Sequence, residues 1–555
     1  MSEQPDPASP RENRLRILGC LAIGAYWILV CVTLAWGACK RFGIPQAPIV
    51  DPDIRGYLGP AISALTGHKF GHFDGRSFPY PAFVFLVLRL FGDYRAIAVV
   101  QHLLGVTAGA ITLLAWNAML RLIPPGGIPP QLSRFIGLAP AAIYLGSATA
   151  IHFEQEIRPE AIFPFLTILN LFISFLFIHS RFIRRQSSSI WLGAFNVFAA
   201  FLIYLLKPSF GLATFLSTAP VWISLFLPGL DLRKKCALLA AAILPAALLL
   251  FLPEQLLKRA DAWGGRFLPE TLFSVHASLI LDQMSRDLAS NARTPYPRAL
   301  LQSAHDLLQS DLQKAATIPT AKTFNSLGYN PDYLMYDSFC IEFPNTTGWD
   351  SDALIQFYNY YYRRTALNQP SAMAHKIMAQ MRIFYCSKNP AYRLGQSLDV
   401  TDQYARTPDL IANKIQFAAA YVPTAPYFQA CRDLAARGMA FAQVKRFTEW
   451  TRLLSIHYMD LLLVALLGPL ILISCGFRRH LLWAVVCLWL VYAYNFGNCL
   501  TIAVVHSLEV TRYVRIQLIY TVFAQCLTIY FILEAVTWGV RFLLANRRLQ
   551  PAVRT

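Results

Sequence analysis

Charge is what this chain is short of. Of its 555 residues, 49 are Lys or Arg and 31 are Asp or Glu, 14% in all. Soluble domains carry roughly a quarter. That deficit, with 55% hydrophobic residues and a mean hydropathy of +0.42, excludes an ordinary soluble domain. The net charge of +18 would point to nucleic acid in a soluble protein. Here it reads as basic loops on one side of a lipid bilayer, attracted to anionic headgroups, and no nucleic-acid partner is expected. There is no CxxC and no His/Cys zinc spacing, so no residue is assigned to a metal. Eight of the eleven cysteines lie in or beside apolar runs as small packing residues. Only Cys340, Cys386 and Cys431 fall in a soluble stretch, which leaves room for at most one disulfide there. No small-residue cleavage site follows the first apolar run, so a retained helix is expected. No internal repeat is visible, which counts against a transporter built from repeated halves.

What is present is a series of apolar runs. They sit near Leu15–Cys39, Tyr94–Leu120, Phe135–His152, Ala161–Ser180, Ile190–Leu206, Phe210–Leu230, Cys236–Leu252, Met459–Cys475, Leu481–Val505 and Val514–Val540. Each can cross a hydrocarbon core of roughly 30 Å. Pro81–Phe91 is too short and is expected at the interface. The positive-inside rule places Arg11, Arg14 and Arg16, then Arg181, Arg184 and Arg185, then Arg233, Lys234 and Lys235, then Arg478 and Arg479, and the tail with Arg541, Arg547, Arg548 and Arg554, on the cytoplasmic side. Ten helices satisfy all of these at once. The expected fold is an all-α polytopic membrane protein of about ten transmembrane helices, in a bacterial inner membrane.

The loop Lys40–Asp93 then faces the periplasm, as do the turns His152–Glu160, Lys207-Pro208 and His506–Tyr513 and the segment Pro253–Tyr458. The cations of the first outer loop, Lys40, Arg41, Arg55, Lys69, Arg76 and Arg89, break the charge rule, either because long loops escape it or because some bind phosphate. The segment 253–458 reads as mostly helical and loop-rich, cut by prolines 319, 331, 344, 370, 390, 408, 423 and 426. Its aromatic run Phe357-Tyr-Asn-Tyr-Tyr-Tyr either stacks on sugar, lies at the membrane surface or packs its Tyr faces inside a helix. Three domains follow: a seven-helix module 1–252 carrying the outer loop 40–93, the soluble segment 253–458, and three C-terminal helices with a tail, 459–555.

Four outer turns carry ionisable residues beside helix ends: Asp51-Pro-Asp53-Ile-Arg-Gly-Tyr57, Glu154-Gln-Glu156-Ile-Arg158-Pro-Glu160, Lys207, and His506-Ser-Leu-Glu509-Val-Thr-Arg512-Tyr513. Taken singly each has a plain explanation. Asp51 and Asp53 could serve only as helix caps, Glu160 only as a partner for a helix N-terminus, and Arg512 only as an interface marker. Together on one side they point to a pocket, because charge at membrane depth is costly and usually functional or paired. A carboxylate can take a proton from an acceptor hydroxyl, and cations can hold a leaving phosphate. An outward site has no access to cytosolic nucleotide sugars but can use a lipid-phosphate donor.

These residues resemble the GT-C glycosyltransferases, a superfamily that includes protein O-mannosyltransferases and aminoarabinose transferases. Asp53-Ile-Arg-Gly-Tyr57 is similar to the family's Asp-x-x-x-Tyr, and Ala61-Ile-Ser-Ala-Leu-Thr-Gly67 to its Ala-x-x-Leu-x-x-Gly. Phe78-Pro-Tyr-Pro, Gln101-His-Leu-Leu-Gly, Glu160, Lys207-Pro208 and Glu509-Val-Thr-Arg512-Tyr513 follow in the family's order. The resemblance implies a GT-C-like bundle with interfacial helices in the first outer loop. It implies inverting transfer from a polyprenyl-phosphate sugar to a lipid, glycan or protein acceptor in the periplasm. Asp53 would be the base, and Glu156 or Glu160 a second catalytic carboxylate. Lys207, Arg512 and Arg158 would bind the donor phosphate, and Asp51, Tyr57, His506, Glu509 and Tyr513 would line the pocket. Ile54 stands where an acidic residue often follows the first Asp, and the Glu-Lys-Pro and Trp-Trp-Asp elements of particular subfamilies are absent, so the acceptor is not assigned. Divalent-metal dependence varies in that family and stays open here. The rival expectations are a transporter or flippase, or a polymerase or ligase, for lipid-linked glycans.

Overall fold

Long apolar runs with sparse charge can satisfy their backbone in lipid only as helices, and helices are what form. The computed structural model describes residues 10–72, 74–123, 128–186, 189–227, 231–259, 261, 265–474 and 482–549. Among these, eight helices are long and apolar enough to cross a membrane: Leu18–Phe42, Arg95–Leu120, Phe163–Ile183, Ser189–Leu206, Pro208–Phe226, Leu232–Lys258, Val485–Val505 and Leu518–Arg541. Two bent helix pairs bring the number to ten if each is one span. The chain is a multi-pass, mostly helical membrane protein. Its named strands among the described residues are one ribbon, Ser397–Asp399 against Ala440–Ala442. Arg478, Arg479, Arg554, Cys475 and the end of the sixth apolar run lie outside the described residues, as do the side chains of Arg11, Arg14, Arg16, Arg547 and Arg548.

Three boundaries differ from the sequence reading. The run Phe135–His152 is broken into Pro130–Gly146 and Ala148–Gln155, bent by 51°. Ser147 is extended there (φ −74°, ψ 122°), and its hydroxyl accepts the Ala150 N–H at 3.5 Å, restarting the helix as an N-cap. The run at Met459 joins an amphipathic helix, Lys445–Ile456, at 49°. The span Leu232–Lys258 runs six residues past its expected end, passing Pro253 through a π-turn at Ala247–Phe251. The helix thus continues past Pro253, where the soluble segment is expected to start, as far as Lys258.

That segment is helical, as expected, but it has two lobes. Phe267–Val275, Ala277–Ala289, Arg298–Thr317, Phe339–Thr347 and Ser351–Asn368 enclose a core of Phe273, Leu308, Phe339, Phe357, Tyr358 and Tyr361. The aromatic run thus packs Phe357, Tyr358 and Tyr361 inward and leaves Tyr360 partly covered. Not every proline interrupts: Pro331 and Pro370 open helices, whereas Pro344 and Pro408 lie inside them. The second lobe, Thr401–Lys414 and Thr424–Arg437, shares its core with the first outer loop. Tyr404 and Tyr427 donate to the carbonyls of Ala47 (2.8 Å) and Pro48 (2.6 Å), and Tyr427 stacks on Tyr94. The stretch leading into Asp51 is therefore fixed from above. Cys340, Cys386 and Cys431 are free thiols.

Candidate functional site

Proline delivers several of the site's side chains. Asp51, Arg158 and Lys207 each precede one, and a residue before proline is pushed out of the helical region. Arg158 (φ −164°, ψ 160°) and Lys207 (φ −150°, ψ 93°) are extended accordingly. Lys207 ends the span Ser189–Leu206 there, and Arg158 precedes the span that starts at Phe163. A single parallel bridge joins Ile49 to Glu156: Ile49 N–H donates to Gln155 O and Ile157 N–H to Ile49 O, both at 2.9 Å. It places the Asp51 turn beside the Glu156 turn. Gln101 secures the second turn from below, donating to the carbonyls of Glu154 (2.7 Å) and Glu156 (3.0 Å) while accepting from the Tyr80 hydroxyl (2.7 Å). Asp53 stands at the N-terminus of Ile54–Leu65 without capping it, so its carboxylate is free to face the cluster.

Four cations and four carboxylates meet there. Arg512 Nη1 lies 3.0 Å from Asp53 and 3.4 Å from Asp51. Arg158 reaches Asp51 at 2.5 Å, Glu156 at 3.2 Å, Glu160 at 3.3 Å and Asp53 at 3.8 Å. Lys207 pairs with the other oxygen of Glu160. Arg76 approaches Asp53 from the opposite side at 3.1 Å. Aromatic faces line the cations: Tyr513 lies under both Lys207 (4.9 Å) and Arg512 (5.0 Å), and Tyr57 under Arg76 (5.5 Å). Asp53 and Arg512 keep about a quarter of their side-chain surface exposed, so the cluster is open at that edge.

This packing separates the protonation behaviour of its members. Burial pushes the Asp51 carboxyl up to about 6, despite Arg158 and Arg512 beside it. Burial acts on Asp53 as well, but Arg76, Arg512 and Arg158 outweigh it and hold that carboxyl well below the usual range. Glu160 is likewise lowered, burial being overcome by Arg158 and Lys207. Burial brings Lys207 down to about 8, with Glu160 opposing the shift.

Of the residues singled out in the sequence, Asp51, Asp53, Tyr57, Glu156, Arg158, Glu160, Lys207, Arg512 and Tyr513 come together. Three others do not join the ionic cluster. Glu154 turns into the bundle, where Arg41 clasps it through two bonds (2.6 and 2.7 Å), with Tyr144 and His102 adding 3.2 and 3.0 Å contacts. Glu509 binds Ser326, accepting from its N–H (2.8 Å) and its hydroxyl (2.9 Å), and so fastens the Arg512 turn to the soluble segment. Gln380 accepts the Leu508 N–H beside it. His506 lies against the Tyr513 ring and 3.6 Å from Asp332. Arg76 is the member that the sequence reading left among the loop cations. Its signals in the sequence are its place among the outer-loop cations that break the charge rule and its position two residues before the Phe78-Pro-Tyr-Pro start of the interfacial helix Pro79–Phe91.

Chemically the arrangement offers carboxylates next to guanidinium and ammonium groups at one end of a membrane bundle. It can bind an anion and move a proton within a few ångströms of each other. Among the described residues no group of three His, Cys, Asp or Glu side chains is placed to hold a metal ion. Comparison with family models, with curated proteins and with solved structures gives no match for this chain.

Proposed function

We propose that this protein is an inverting membrane glycosyltransferase of the GT-C kind, using a polyprenyl-phosphate sugar at a site that faces the periplasm of a bacterial inner membrane. The observation that carries the reading is the meeting of Asp53 with Arg512, Arg158 and Arg76, and of Glu160 with Lys207, where spans end. Lys207, Arg512 and Arg158 hold the donor phosphate, and Arg76 joins them. The acceptor hydroxyl attacks the sugar's anomeric carbon as the bond from that carbon to the phosphate oxygen breaks. Its proton passes to Asp53, and polyprenyl phosphate leaves with the bonding pair. The phosphate draws Arg76 and Arg512 toward itself, which relieves Asp53 of the charges that lower its basicity. The bundle through Lys258 with its outer loop is the catalytic module, and the soluble lobes frame the acceptor side. A lipid, a glycan or a protein remains as acceptor class.

The test is transfer of radiolabelled sugar from a polyprenyl-phosphate donor in membranes carrying the wild type or Asp53→Asn. Loss of a positioned base costs roughly 10²- to 10⁴-fold, so transfer should fall by that much in a protein that still unfolds cooperatively on heating. Normal transfer by Asp53→Asn would remove the assignment.

A further inference from the structure

A second built feature lies at the other end of the bundle. A cavity of about 370 Å³ opens between the first span, the span Arg95–Leu120, the short helix Pro130–Ile136 and the last span. Tyr26, Trp27, Asn117, Arg121, Arg134 and Tyr530 line it. Its position follows from chain direction. Gln101 and His102, near the start of Arg95–Leu120, touch the turn that carries the ionic cluster, whereas Arg121 follows that helix's last residue. The cavity thus sits at the opposite membrane face.

Three properties define what fits. Arg121 and Arg134 have no ion-pair partner among the described residues, in contrast to the paired cations of the cluster. The wall is amphipathic, with Asn117 donating to the Tyr26 hydroxyl at 3.0 Å beside the rings of Tyr26, Trp27 and Tyr530. The mouth opens sideways toward lipid, with Trp27 56% and Leu114 49% exposed. Leu114 lies two turns of helix below Arg121, roughly 10 Å deeper at 1.5 Å per residue. With Glu534 beside the wall accepting the Ile128 N–H (2.9 Å), charge at headgroup level over an apolar, aromatic groove is complementary to an anionic lipid, and the phospholipids of the bilayer are what surrounds it. Basic residues that only mark the charged side of a membrane need no cavity, and Arg184 and Arg185 in the exposed loop of the same face are of that kind.

We propose that this cavity binds an anionic phospholipid of the leaflet opposite the ionic cluster. Arg121 and Arg134 hold its phosphodiester, and the upper acyl chain lies along Trp27 and Leu114. The purified full chain in nanodiscs is assayed for retained phosphatidylglycerol by native mass spectrometry, against phosphatidylcholine. At about 1 kcal/mol per headgroup-level cation, Arg121→Gln with Arg134→Gln should weaken phosphatidylglycerol retention about 30-fold. Arg184→Gln with Arg185→Gln removes equal charge outside the cavity lining and should weaken it by no more than about threefold. Leu114→Trp, which keeps both arginines and narrows the mouth, should also weaken retention, so the result does not rest on the double variant's folding. Equal loss in the two double variants, no loss with Leu114→Trp, or no wild-type preference for phosphatidylglycerol would overturn the proposal.

Discussion

Lys207 gives the candidate site a pH dependence that can be measured. Burial lowers its ammonium to about 8, so it is charged in about 90% of molecules at pH 7 and about 10% at pH 9. A phosphate ligand that needs that charge should bind about tenfold more weakly at pH 9 than at pH 7, a loss of about 1.4 kcal/mol. The direction follows from the charge, since an ammonium is cationic below its pKa and neutral above it, and the lowering to about 8 brings that change into the measured range. The ligand does not produce the same trend. A phosphate monoester loses its second proton near pH 6, so its own titration strengthens binding as pH rises. Lys207→Arg separates the two, because a guanidinium stays charged throughout this range. The measurement is calorimetric titration of a short-chain polyprenyl phosphate into the detergent-purified chain at pH 7, 8 and 9. Wild-type affinity should fall about tenfold over the series, and Lys207→Arg should stay level within about twofold. A wild-type affinity that does not fall, or a Lys207→Arg protein that falls in parallel, would show that the phosphate is not bound through this ammonium.

Two further outcomes follow from single distances. Arg512→Glu removes the guanidinium that pairs with Asp53 at 3.0 Å and Asp51 at 3.4 Å and leaves a third negative charge beside them. It should weaken polyprenyl-phosphate binding by more than about 10-fold and leave acceptor binding within about threefold, measured by separate titrations of each. A Cβ on Gly105 would clash with Glu154 Oε1, part of a carboxylate that two bonds from Arg41 hold in place. Gly105→Ala should therefore cost about 3–5 kcal/mol, comparable to opening a buried ion pair, and lower the unfolding temperature in detergent, whereas Gly24→Ala, with nothing within 4 Å, should not.

Much of this architecture was legible because membrane physics acts on composition. Runs such as Arg95–Leu120 and Leu518–Arg541 have one stable form in lipid. The gathering of the candidate cluster was legible for a related reason. Asp51, Arg158 and Lys207 stand before prolines at the edges of apolar runs, so their side chains leave the helix near the membrane surface. Less visible was what depends on partners distant in sequence. Glu154 sits two residues from Glu156 yet faces the bundle, because Arg41 lies across from it, 113 residues away. Glu509 looked like a pocket residue and instead clamps Ser326, 183 residues earlier. Arg76 enters the cluster because the loop before Pro79 folds back over Tyr57, a closure that no local pattern encodes. The bend at Ser147 depended on one hydroxyl cap inside an otherwise continuous apolar run.

The charge balance of the cluster bears on how the proposed donor would enter. Arg76, Arg158, Lys207 and Arg512 face Asp51, Asp53, Glu156 and Glu160, four against four. A phosphate arriving with its full negative charge leaves that set anionic in a partly desolvated place, which is costly unless a carboxylate gives way. The four carboxylates are not equal in this respect. Asp51, pushed up to about 6, accepts a proton at little cost near neutral pH, while Asp53 and Glu160 are held ionised by their cations. On the proposed reading the roles therefore divide. Asp51 offsets the incoming charge by taking up a proton, and its pairing with Arg158 loosens toward the phosphate. Asp53 keeps its charge until the cations shift from it to the leaving group. A base that gains strength only as the phosphate is gripped is idle while no donor is bound, and the geometry supplies that coupling through one residue, Arg512, which touches Asp51 and Asp53 together.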